Sequence, residues 1–122
     1  MQRSILAVSP NLQFLEQIRS HLEEGGRYRV QGVTSGADAL ALVSSTYFDL
    51  AILDANLAGP SVSPVATALE RRSIPFIVVS GYSQWELLLP LRKAPFVPKP
   101  VRRETLLAAV AGFDRKLSQQ IA

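Results

Sequence analysis

The chain contains no cysteine and a single histidine, His21. Without thiols there are no disulfides, zinc fingers, iron–sulfur clusters or thiolate nucleophiles. One histidine excludes His-rich metal sites and the HExxH helix of metalloproteases. Long apolar runs are also missing. The runs present, such as Ile5–Val8, Ile74–Val79 and Leu87–Leu91, fall well short of the roughly 20 residues that a membrane-spanning helix needs. Before Ser9 there is one basic residue, Arg3, and one four-residue apolar run. That is too short a core for a secretory signal, so a cytoplasmic location is expected. Charge of one sign is scarce: 13 Lys+Arg stand against 10 Asp+Glu, a net of +3. A dedicated nucleic-acid binder would carry a denser basic stripe interleaved with aromatics, whereas aromatics here are 7% of the chain. Neither direct nucleic-acid binding nor membrane association is expected.

Hydrophobic residues make up 48% and charged residues 19% of 122 residues. This is ordinary globular composition, and the length suits one domain, 1–122, with its own core. No internal repeat, low-complexity segment or linker interrupts it. The patterning alternates. Ile5–Val8 is an apolar run without helical period, bounded by Ser9-Pro10-Asn11, and reads as a buried strand. Leu12, Leu15, Ile18 and Leu22 then recur at helical spacing, with Asn11 as N-cap and Gly25-Gly26 as the stop. Tyr28–Val33 alternates as a second strand, and 37–43 forms a second helix opened by Ser35-Gly36. Phe48–Leu53 is a third strand ending in Asp54. A Gly- and Pro-rich loop covers 58–64, and Pro64 suits the first turn of a helix running to Arg72. Pro75–Val79 is a fourth strand ending at Ser80-Gly81. Ser83–Lys93 is expected to be a short helix that Pro90 ends or kinks. Phe96-Val97 is a minimal fifth strand, and Leu106, Val110, Phe113 and Leu117 mark one face of a last helix.

Five strands alternating with five helices, several of the strands apolar on both faces, predict a doubly wound parallel sheet in a three-layer α/β/α sandwich. Ligands of such sheets sit outside the carboxyl ends of the strands. The residues there are Ser9, Pro10, Asp54, Asn56, Ser80 and Lys99. An Asp at a strand tip serves as a nucleophile towards phosphorus, as a metal ligand or as a cap. Ser80 offers a hydroxyl to an oxyanion, or is a turn residue before Gly81. Lys99 offers a compact cation to a phosphoryl group, or is a surface charge. No G-x-G-x-x-G or G-x-x-x-x-G-K-[ST] loop follows the first strand, which disfavours a nucleotide-binding enzyme.

The order and spacing of these residues resemble the receiver domain of two-component response regulators (CheY-like) over essentially the whole chain. The resemblance is carried by Ile5–Val8, Asp-Leu-Ala-Ile-Leu-Asp at 49–54, Ser80-Gly81, and Pro-Phe-Val-Pro-Lys-Pro at 95–100. It implies a flavodoxin-like five-stranded sheet in order 2-1-3-4-5 and a phosphorelay role, without enzymatic turnover beyond acceptance of a phosphoryl group on the chain itself. Asp54 would be the phosphoacceptor, Ser80 the hydroxyl that follows the phosphoryl oxygen, and Lys99 the cation that pairs with it. Phe96 matches the aromatic switch position. Asp54 and the backbone carbonyl of Asn56 match Mg²⁺ ligands, and Lys99-Pro100 resembles the usual cis peptide of the family. The implied partners are a histidine kinase or phosphotransfer protein and a downstream protein, with a homodimer as a further option. The motif Ser-Gly-Tyr…Ala-Pro-Phe-Val-Pro-Lys-Pro is similar to a subgroup of small, often stand-alone bacterial receivers.

Two departures stand out. The family's adjacent acidic pair after the first strand reads Ser9-Pro10 here. A hard Mg²⁺ wants oxygen ligands, usually carboxylates, so its binding is expected to be weak or absent and phosphorylation of Asp54 slow. The segment between Ser80 and Lys99 is shorter than usual and carries Trp85, an anchor candidate on the partner surface, unless it packs across the shortened segment. Arg102 and Arg103 are candidates for meeting an acidic partner, partly offset by Glu104. Arg71-Arg72, Arg92-Lys93 and Arg115-Lys116 are explained by helix dipoles, and His21 is read as a solvated helix residue. The alternative reading is a phosphorylation-independent pseudo-receiver, the same fold used as a protein-interaction domain.

Overall fold

The computed structural model describes residues 2–56, 62–81 and 94–121. Five strands, β1 (Arg3–Val8), β2 (Tyr28–Val33), β3 (Leu50–Asp54), β4 (Phe76–Ser80) and β5 (Phe96–Pro98), form one parallel sheet in order β2-β1-β3-β4-β5. Four helices lie among the described residues: α1 (Leu12–Glu23), α2 (Gly36–Ser45), α3 (Val62–Arg71) and α4 (Arg103–Ile121). This is the doubly wound, flavodoxin-like arrangement expected. The helix expected over 83–93, with Trp85 and Pro90, lies outside the described residues, as does most of the loop at 58–64.

Strand periodicity builds the two outer layers. Leu6 and Val8, Ala51 and Leu53, and Phe76 and Val78 face one side and meet Ala39 and Val43 of α2 and Val62, Val65, Ala66 and Leu69 of α3. Their neighbours Ile5 and Ala7, Leu50 and Ile52, and Ile77 and Val79 face the other side. There they meet Leu15, Ile18 and Leu22 of α1 and Leu106 and Val110 of α4. Successive residues of a strand point to opposite faces, so a strand covered on both sides must be apolar throughout. That is why β3 and β4 are buried along their whole length.

The local signals sit where the sequence puts them. Asn11 caps α1 by accepting from the Phe14 N–H, and Ser35 caps α2 by accepting from the Asp38 N–H. Gly25 and Gly26 follow α1 with φ of +93° and +75°, a region that favours glycine. Boundaries shift by one or two residues. Phe48 and Asp49 precede β3 rather than opening it, and β1 begins at Arg3. Leu12 belongs to the apolar period, yet it is 68% exposed in the first turn of α1. Phe14, partly buried, packs instead against the α1–α4 side of the core.

Candidate functional site

Three strands deliver three polar side chains to one place, the carboxyl end of the sheet. Asp54 is the last residue of β3 and is 2% exposed. Ser9 follows β1 directly, is 0% exposed, and is positioned by its own N–H, which donates to the Val33 carbonyl at the end of β2. Lys99 follows β5, and its N–H donates to the Ser80 carbonyl at the end of β4. Ser80 is buried beside them. The Lys99-Pro100 bond is cis, as the resemblance implied.

Asp54 carries a full set of donors. Oδ1 accepts from Lys99 Nζ at 2.9 Å and from the Asn56 N–H at 2.9 Å. Oδ2 accepts from the Ser9 hydroxyl at 2.7 Å. The Asn56 bond closes a turn in which an Asp side chain receives a backbone N–H two residues on, so Asp54 also shapes the loop that leaves β3. A second link orients Ser9. Its Oγ accepts from the Asn11 N–H at 3.1 Å, which leaves the hydroxyl proton for Asp54. Lys99 is anchored from the other side, its Nζ 5.0 Å from the centre of the Phe14 ring, a distance at which an ammonium gains from the ring face. The pair is asymmetric in burial: the Asp54 side chain is 2% exposed and that of Lys99 26%. A buried carboxylate without such donors would be strongly disfavoured. Here three donors, one of them the Lys99 counter-charge, satisfy it.

The sequence-derived site residues thus divide. Asp54 and Lys99 come together, and Ser80 is buried at the end of β4, where its backbone carbonyl accepts from the Lys99 N–H. Ser9 joins them too, but as a hydrogen-bond donor to Asp54 rather than only as a position where a carboxylate is missing. Pro10 is exposed and brings no donor. Asn56 contributes its N–H. Phe96 is half-buried on β5, beside Val78 of β4, within the α2–α3 side of the core. His21 is half-buried rather than solvated and lines an open groove of about 420 Å³ with Asn11, Gln13, Phe14, Gln17, Lys99, Pro100 and Val101. Arg103 is engaged, its guanidinium 2.7 Å from Glu24 Oε2, an offset in addition to the one expected from Glu104. Arg102 is exposed, and Trp85 lies outside the described residues. Phe14, as the seat of Lys99, was not legible in advance. Its only signal was an aromatic one residue before Leu15, off the apolar period of α1.

The Mg²⁺ that the resemblance implies does not fit this donor set. Among the described residues no three His, Asp or Glu side chains converge to hold an ion. Asp54 Oδ2 is taken by Ser9, and Asn11 Oδ1 is committed to the Phe14 N–H at 3.1 Å. A hard divalent ion needs several oxygen ligands, carboxylates first, and directly after β1 the chain supplies Ser9 and Pro10 in place of carboxylates.

No family model matches the chain, and no curated protein matches it. Solved structures do. The chain is similar to the N-terminal domain of a response regulator/sensory box/GGDEF three-domain protein from Carboxydothermus hydrogenoformans, at 21% identity and TM-score 0.85, covering 98% of this chain and 100% of that one. It is similar to chemotaxis response regulator CheY4 of Vibrio cholerae, at 22% identity and TM-score 0.81, covering 93% and 99%. A third, the BeF3-activated DrrB receiver domain, matches at 26% identity and TM-score 0.79, covering 94% and 99%. The fold is that of the CheY-like response-regulator receiver domains.

Proposed function

We propose that the chain is a response-regulator receiver module that signals through a protein partner, with Asp54 as its phosphoryl acceptor. The observation that supports this best is the convergence of Asp54, Lys99 and Ser80 at the carboxyl end of a receiver-type sheet, with Lys99 Nζ 2.9 Å from Asp54 Oδ1. A carboxylate oxygen is a competent nucleophile towards phosphorus. In the proposed step a P–N bond of a donor phosphohistidine, or the acyl P–O bond of a small donor, breaks as a P–O bond to Asp54 forms. The donor leaves with the bonding pair. Lys99 then turns from the carboxylate to the phosphoryl oxygens, where an ammonium offsets the added negative charge. The donor in this reading is a histidine kinase or phosphotransfer protein, and the module works in the cytoplasm.

A specific observation favours a second reading, a phosphorylation-independent interaction module. Asp54 is 2% exposed and both its oxygens are occupied. One experiment separates the two. The chain is incubated with acetyl phosphate and analysed by intact-mass spectrometry beside Asp54→Asn. A slow adduct of one phosphoryl group, absent from Asp54→Asn, is the expected outcome. No adduct at any time, with partner capture unchanged in Asp54→Asn, would leave the second reading standing.

A further inference from the structure

We infer that Ser9 takes the place of a divalent cation at Asp54, so that the pocket is assembled and works without metal. The inference rests on the receiver reading of the site and specifies how that site is held. The carboxylate has two faces to satisfy. On Oδ1 the counter-charge is internal, from Lys99 at 2.9 Å. On Oδ2 a cation would have to bind, and there the Ser9 hydroxyl donates at 2.7 Å from a fully buried position. The hydroxyl is not free to turn away. Its acceptor side takes the Asn11 N–H at 3.1 Å, and its backbone N–H is fixed to the Val33 carbonyl at 3.1 Å. The chain Asn11 N–H, Ser9 O–H, Asp54 carboxylate therefore runs in one direction and strengthens along its length.

Charge leads to the same conclusion. Asp54 and Lys99 sum to zero, so among the described residues the pocket has no excess of negative charge for a cation to neutralise. A cation entering at Oδ2 would compete with the Ser9 hydroxyl for that oxygen and would meet the Lys99 ammonium across the same carboxylate. With a carboxylate in place of Ser9, two anions would share one buried site. Like charges so placed repel until a cation or a proton intervenes. One residue therefore decides between a self-neutral pocket and a metal-requiring one. The Ser9 hydroxyl is a positioning residue: it fixes Asp54 and does not itself bond to phosphorus.

The test uses the whole chain and two readouts. In the first, Mn²⁺ and Mg²⁺ are titrated into the chain and into Ser9→Asp, followed by amide NMR and by thermal melting against a chelator control. The unsubstituted chain is expected to show no saturable Mn²⁺ broadening at the amides of residues 9, 54 and 56, and the same melting temperature in Mg²⁺ as in chelator. Ser9→Asp is expected to melt lower than the unsubstituted chain in chelator, to recover in Mg²⁺, and to show Mn²⁺ broadening at those amides. Saturable broadening there in the unsubstituted chain would overturn the inference, and that measurement needs no variant to fold. A folded Ser9→Asp that binds no metal would also overturn it, since Ser9 would then not be what excludes the cation. The second readout is the acetyl phosphate labelling rate, expected to change less than twofold between chelator and Mg²⁺. A rate that rises strongly with Mg²⁺ counts against the inference. A chain that never labels removes the phosphoacceptor reading, and the Mn²⁺ result then decides the inference alone.

Discussion

Asp54 is the side chain on which the site turns, because a buried anion is tolerated only when it is paired and hydrogen-bonded. Lys99 is the part of that balance most easily tested. Lys99→Met keeps an unbranched stem over Phe14 and removes only the ammonium, leaving Ser9 and Asn56 as the donors to Asp54. Stripping one partner from a fully buried ion pair costs about 3–5 kcal/mol. The Lys99 side chain keeps 26% of its surface in water, so a smaller loss is expected, about 1.5–3 kcal/mol, the range for a hydrogen bond to a charged group. Urea unfolding should show it, and Asp54→Asn should cost less in the Lys99→Met background than alone, since its counter-charge is already gone. An additive pair would mean that the 2.9 Å contact carries no coupling. This scale was legible in part. Asp54, Ser80 and Lys99 could be named because each is a polar residue at or just past the end of an apolar strand. The bond from Ser9 could not, because the sequence places Ser9 beside Asp54 only once β1 and β3 are paired in register, Val8 against Leu53.

At the scale of elements, the end of α3 shows backbone strain and a direct way to relieve it. Ser73 has φ of +58°, the described non-glycine residue in that region. It is the reversal after α3: the Ser73 N–H donates to the Glu70 carbonyl and the Ile74 N–H to the Leu69 carbonyl. Helices commonly end with a residue in this left-handed conformation, usually glycine. Ile74 is 3% exposed and leads into β4, so the turn cannot relax without moving a core residue. Ser73→Gly should therefore raise the melting temperature slightly, the relief of about 1 kcal/mol of strain being partly offset by the freer unfolded chain. Ser73→Val should lower it, because a β-branched residue resists positive φ most. Equal stability of both variants would show that the turn adapts. The elements themselves were largely readable, since a two-face apolar strand and a one-face apolar helix leave different periods. Their ends were less so. Phe48 is apolar and buried, yet it precedes β3, because burial does not require strand pairing.

For the molecule as a whole, the far end of the sheet matters as much as the site end. Asp114, on α4, gathers three partners from the opposite edge of the fold. Arg3 Nε lies 2.9 Å from Oδ1, Arg27 Nε 3.6 Å from Oδ2, and the Tyr28 hydroxyl donates to Oδ2 at 3.3 Å. These bonds tie the last helix to β1 and β2, and nothing in the sequence revealed them, since 86 residues separate Tyr28 from Asp114 and no local period marks the pair. Titration makes the clamp measurable. Burial first, and then the Asp114 charge and its hydrogen bond, hold the Tyr28 phenol above its ordinary value, with Arg27 and Arg3 pulling weakly the other way. A raised value in the folded state means that the neutral phenol is the form the fold favours. Its contribution is therefore complete below the unfolded value of 10.0 and disappears as pH rises through the higher folded value. The phenolate would then face the Asp114 carboxylate with no proton between them. Tyr28→Phe keeps the ring, which is 6% exposed, and should cost about 1 kcal/mol at neutral pH for the lost hydrogen bond. From about pH 10 upward, the unsubstituted chain should lose stability more steeply than Tyr28→Phe, so that the two urea midpoints converge. Midpoints that stay a constant distance apart over that range would mean that the Tyr28 proton is not part of what holds α4 to the sheet.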